Sequence, residues 1–130
     1  MKSTFRHGLR AALLAAGLAL ATSQAAEVGY DKARFDAALG AGQPVIVDFA
    51  ADWCPTCKAQ QPLVQELLKE PRMKGVTLFS ADFDRESGLK KALGVSTQST
   101  FIVFKGGKEV ARSTGQTNKE DLAATFAKAL

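Results

Sequence analysis

The chain has 130 residues, with 17 Lys and Arg against 13 Asp and Glu, two Cys and one His, a length that allows one domain with a modest core. Lys2, Arg6, Arg10 and His7 all lie in the first ten residues, so the remainder balances to +1 (14 bases, 13 acids) and holds no histidine. That excludes a basic nucleic-acid footprint, Ser-His or Cys-His nucleophilic catalysis and a histidine-rich metal site beyond the leader.

Residues 1–25 read as a secretory signal. The basic stretch Met1 to Arg10 has no acid, and Ala11 to Ala21 is an unbroken apolar run of 11. Ser23 and Ala25 supply the small residues for a cut after Ala25. Spanning a bilayer takes about 20 apolar residues, so cleavage is expected and not retention as an anchor. The expected organisation is a cleaved leader, 1–25, and one domain, 26–130, periplasmic or secreted, with no stable membrane insertion. An exported protein meets an oxidising compartment, where two close cysteines tend to pair unless something keeps them reduced.

Asp31 can cap a helix from Lys32 to about Leu39, with Phe35, Ala38 and Leu39 on one face and Gly40 and Gly42 ending it. The near-continuous apolar run at 44–51 suits a strand buried on both faces of a sheet. From Cys54 to about Lys69 the pattern turns helical, with Leu63, Val64, Leu67 and Leu68 at helical spacing and Pro62 predicting a kink. A second strand is expected at 76–83, a short helix near Glu86–Leu93 closed by Gly94, and a third strand at 100–105. Gly106-Gly107 is a hairpin signal leading to Glu109–Ser113. Thr117 to Glu120 reads as a capping box for a last helix carrying Leu122, Phe126 and Leu130 on one stripe. Helices alternating with strands and ending in a hairpin predict an α/β fold. Its central mixed sheet has about four strands, flanked by about four helices. No exposed apolar stripe is left to build a dimer, so a monomer is expected.

Cys54 and Cys57 can be weighed three ways. As a staple they close a loop of only four residues, worth roughly 2 kcal/mol against ~4.7 for a 100-residue loop. As a zinc site they lack two of the four ligands a tetrahedral centre needs; two thiolates could hold Cu(I), so a copper-carrying or metal-insertion role using Cys54 and Cys57 stays open. As a redox pair they are well placed. Cys54 sits where a buried strand gives way to a helix, with Pro55 at the favoured first helical position. Unpaired amides and the partial positive charge of the helix start favour a thiolate there. Cys57, one turn further in, can bond Cys54 while facing the protein. The pattern predicts an exposed attacker with a shielded resolver.

These residues resemble the thioredoxin superfamily over nearly all of 26–130. The similarity rests on Trp53-Cys54-Pro55-Thr56-Cys57-Lys58, Asp48 six residues before the first cysteine, Pro62 in the helix, FKGGKEV at 104–110, and Gly115. It implies a thioredoxin-like three-layer sandwich and a thiol–disulfide oxidoreductase, with the Cys54–Cys57 disulfide as its only redox group and no other cofactor. It also implies that Cys54 attacks a substrate disulfide, Cys57 resolves the mixed disulfide, and a buried Asp48 with a raised pKa takes the Cys57 proton through water. Trp53 would cover the site. Thioredoxin-like proteins carry a cis-proline opposite the cysteines; here Ser99 falls in its place. A cis bond before a non-proline costs about 2.5–4 kcal/mol, so Gln98–Ser99 is expected to be trans, or else strained. The Ser99 hydroxyl could then bond the Cys54 sulfur and help shape the site. A family lysine near the buried acid appears as Ser80, which removes a partner for the charged form of Asp48.

Pro55-Thr56 adds no charge between the cysteines, so the expected direction is reductive, on cysteines of other exported proteins. A reductant in an oxidising compartment needs electrons, which implies a membrane partner delivering them. A copper-binding module, or a non-catalytic binding module with idle cysteines, is the alternative.

Overall fold

In the computed structural model, which describes residues 24–130, a five-stranded mixed sheet lies between two helical layers. The elements in chain order are β1 (Ala26–Gly29), α1 (Lys32–Gly40), β2 (Val45–Ala50), α2 (Pro55–Leu68), β3 (Thr77–Asp82), α3 (Ser87–Leu93), β4 (Thr100–Lys105), β5 (Lys108–Thr114) and α4 (Lys119–Phe126). The sheet order is β1-β3-β2-β4-β5, with β1, β3 and β2 parallel and β4 and β5 antiparallel. The expected leader falls on residues almost wholly outside those described.

β2 explains why the sheet is central. Val45, Val47 and Phe49 point to one layer with Phe35 and Ala38 of α1 and Leu89 of α3. Ile46 points to the other, with Val64 and Leu67 of α2 and Leu122 and Phe126 of α4. A strand covered on both faces shows no alternation, and so its sequence is an unbroken apolar run. Asp48 interrupts that run on the Ile46 face, toward α2 and α4. Phe126 meets Phe101 of β4 edge to face at 5.2 Å, closing that layer.

The mixed sheet flanked by four helices is as expected, with a fifth strand, β1, whose four residues are too few to announce it by periodicity. Two expectations are corrected. The last helix is capped by Asn118 and not Thr117: its side chain accepts from the Asp121 amide at 3.0 Å. Leu130 leaves the apolar stripe and is 44% exposed, because α4 tightens into a 3-10 turn at Ala127–Ala129 that buries Ala129 instead. The other elements fall where expected to within one or two residues. Asp31 caps α1, Gly94 ends α3 in the left-handed conformation, and α2 continues past Pro62. At the hairpin, Gly107 has φ +77°, and a Cβ there would stand 2.9 Å from the Leu39 carbonyl oxygen, so the turn needs glycine on both counts.

Candidate active site

Cys54 holds extended backbone geometry at the start of α2, and its amide donates to the Ala51 carbonyl at 3.1 Å. Its sulfur serves as the helix cap, accepting the Cys57 N–H at 3.1 Å. Pro55 at the first helical position loses nothing, since that N–H would have no helical partner. One turn on, Cys57 closes a disulfide with Cys54 across a Cα separation of 5.3 Å. The amide aimed at Cys54 is the donor that a thiolate needs once the disulfide opens.

Ser99 arrives from the loop that enters β4, the strand paired with β2. Its hydroxyl oxygen lies 3.1 Å from each sulfur. No peptide bond among the described residues is cis, and Ser99 is the one non-glycine among them with positive φ, +60°. The bond is therefore trans and the residue strained at once. Left-handed geometry outside glycine costs about 1–3 kcal/mol and persists where surroundings impose it. Here Ser99 N–H donates to the Phe49 carbonyl at 2.8 Å, and its carbonyl accepts the Gly115 N–H at 2.9 Å. Together these bonds aim the hydroxyl at the disulfide. A hydrogen bond to a charged partner is worth about 1.5–3 kcal/mol. Ser99→Ala should thus destabilise the reduced, thiolate form and lower the pair's reduction potential by roughly 30–60 mV. Equilibration against glutathione measures the change, and an unaltered potential would remove the hydroxyl from the chemistry.

The expected exposed attacker is not what the oxidised form presents. Cys54 is 1% exposed and Cys57 7%, so the first sulfur is the better covered of the two. The helix start orients Cys54 as foreseen, but Ser99 lies over its sulfur, and Ala51 and Phe83 pack in the same cluster. Trp53 borders the site without sealing it. It is 57% exposed, and its indole N–H donates to Asp84 at 2.7 Å.

Asp48 is buried on the face of β2 that α2 covers and pairs with Ser80 on β3 and Phe101 on β4. Its Oδ1 has no hydrogen-bond partner among the described residues. Burial pushes the carboxyl up from 3.8 to about 7, and the Glu27 charge adds to the rise. Desolvation was legible from the apolar flanks Val47 and Phe49; the Glu27 contribution was not, because β1 went unseen. Lys58 is exposed, as a solvated helix residue should be. An open cleft of about 620 Å³ reaches Cys57 between Glu27, Lys58, Ser80 and Asp82. Among the described residues no three His, Cys, Asp or Glu side chains group to hold a metal ion.

Comparison with known proteins agrees with this geometry. The family model described as Thioredoxin matches residues 27–128. A thioredoxin of Chlamydia muridarum is 39% identical over 84 residues, covering 65% of this chain and 80% of that protein. Thioredoxin H4 of Arabidopsis thaliana is 34% identical over 95 residues, covering 73% and 78%. The crystal structure of Trxlp from Edwardsiella tarda EIB202 superposes with a TM-score of 0.74 at 36% identity, covering 76% of this chain and 96% of that one. The family match runs from the first strand into the last turn and takes in the cysteine-bearing junction, so the chain belongs to the thioredoxin family and is a thiol–disulfide oxidoreductase.

Proposed function

We propose that the protein is exported and there reduces disulfides of other exported proteins. Cys54 is the attacking sulfur, Cys57 the resolving one, and Asp48 the buried group that takes the Cys57 proton. The observation that carries the assignment is the pair of donors on the Cys54 sulfur, the Cys57 amide and the Ser99 hydroxyl, both at 3.1 Å. Each favours a thiolate at position 54, whereas Cys57 has only the shared hydroxyl. Export is supported by the basic, apolar and small-residue succession of 1–25, and the first strand starts at Ala26, directly after the expected cut. Electrons then come from a membrane partner, because the compartment itself oxidises thiols.

Thr56 places no charge between the cysteines, which supports the reductive direction. The Ser99 and amide donors work against it by favouring the reduced pair. Equilibration with glutathione decides between them. The expected potential lies near that of thioredoxins, about −270 mV, and a value near the −120 mV of strong oxidants would reverse the direction. Expression with the natural leader should yield an exported protein whose N-terminus is Ala26; recovery of the whole chain in the cytosol would overturn the location.

A further inference from the structure

β1 brings an acid to the cysteine side of the sheet. Glu27 is in register with Leu78, and Leu78 packs into the layer formed by α2 and α4. Ser80, two residues further along β3, faces the same way and pairs with Asp48 on one side and Gly29 on the other. Asp48, Ser80 and Glu27 thus lie on one face along a diagonal that crosses two strand spacings and two residues of rise, about 12 Å between the Cα positions of Asp48 and Glu27. Ser80 is too small to fill the gap, and the cleft of about 620 Å³ that reaches Cys57 has both Ser80 and Glu27 in its walls.

Glu27 is held there by the helix that carries Cys57. One carboxylate oxygen accepts from the Gln65 amide and the other lies 3.5 Å from the Gln61 amide. Neutral amides fix the group without cancelling its charge, and no ion pair among the described residues involves it. We propose that Glu27 is a positioning residue for the thiol chemistry: its carboxylate, held at the rim of the cleft by Gln61 and Gln65 of the Cys57 helix, sets the charge under which Asp48 serves Cys57. The proposal rests on the roles given above to Cys57 and Asp48.

In the resolving step the Cys57 S–H gives its proton to the Asp48 carboxylate, and the Cys57 sulfur bonds to that of Cys54. The bond from Cys54 to the substrate sulfur breaks, and the substrate thiolate departs with the electron pair. Asp48 later loses the proton to solvent. A fixed negative charge nearby favours the uptake and delays the loss. The other charges at the cleft are Lys58 from α2, Asp52 from the preceding loop and Asp82 at the end of β3, while β4 presents only Phe101 to Asp48. Burial and Glu27 are the two causes behind the raised Asp48 carboxyl.

The test is a pH titration of the Asp48 carboxyl by NMR in the oxidised protein, in Glu27→Gln and in Glu27→Lys. Gln should lower the midpoint by roughly half a unit, as one charge about 12 Å away does across a partly wet gap, and Lys by about twice that. Both shifts should shrink in high salt, and Asp52→Asn and Asp82→Asn should each move the midpoint less. Midpoints that stay in place overturn the proposal, as do equal or salt-insensitive shifts in Gln and Lys, which indicate loosened packing. The titration needs neither substrate nor turnover. Its failure therefore leaves the reductase reading standing, whereas a wild type unable to reduce insulin defeats that reading and not the titration.

Discussion

Cys57→Ser is expected to stop the reduction of insulin and leave the protein joined to its substrate through Cys54. The first bond formed, Cys54 to a substrate sulfur, does not need Cys57. Its release does, because the resolving thiolate is held one helical turn away, with a Cα separation of 5.3 Å in the disulfide. A tethered reactant of this kind acts at effective concentrations far beyond those of any free thiol. Turnover should fall by about a thousandfold or more, in line with the loss of a covalent-catalysis group. A non-reducing gel should show a near-stoichiometric adduct that a reductant dissolves. Cys54→Ser should be as inactive and show no adduct. The comparison has force here because Cys57 lines the open cleft while Cys54 is covered by Ser99. An adduct in Cys54→Ser, and none in Cys57→Ser, would make Cys57 the attacker and overturn the assignment.

Asp48→Asn should stabilise the oxidised protein at alkaline pH and do little near pH 4. Burial moves the Asp48 carboxyl from 3.8 to about 7 in the folded state, whereas in the unfolded chain it titrates near its ordinary value. Between those two pH values the folded protein holds a proton that the unfolded chain has lost. Stability therefore falls as pH rises through that window and levels off above about 7. The span from 3.8 to 7, at 1.36 kcal/mol per unit, amounts to about 4 kcal/mol. Asparagine has the same shape and no charge to desolvate, so its advantage should grow across the window toward that size. That is a large share of the 5–15 kcal/mol that holds a typical domain together. Denaturant unfolding of both proteins at pH 4 and pH 8.5 measures it; parallel pH dependences would show that Asp48 is ionised in the fold at little cost. The same substitution should slow the resolving step, since an amide cannot take the Cys57 proton. A buried acid whose Oδ1 has no partner among the described residues weakens the fold above neutrality, a cost that the proposed proton transfer from Cys57 would put to use.

Much of this protein was written locally. The apolar run at 44–51 announced a strand covered on both faces, and Val45 to Phe49 are all buried there, with Ile46 packed in one layer and Val45, Val47 and Phe49 in the other. Asp31, Gly94 and Pro55 marked helix ends through geometry that depends on a few neighbouring residues. The two cysteines, their strand-to-helix junction and the acid six residues earlier carried the redox chemistry, because a helix start acts on a sulfur within one turn. Asn118 competed with Thr117 for one cap, and a one-residue choice between two good cap formers is settled by how the loop enters the helix.

What only the tertiary structure decided are the contacts made across the sheet. β1 has four residues and no period to betray it, and with it stayed hidden Glu27, which β1 brings to the same face of the sheet as Asp48, across β3. The coverage of Cys54 comes from Ser99, 45 residues away, locked in a left-handed conformation by Phe49 and Gly115. Periodicity and capping act over a turn or two of chain, whereas the exposure of a sulfur and the charge felt by a carboxyl depend on which distant strands become neighbours.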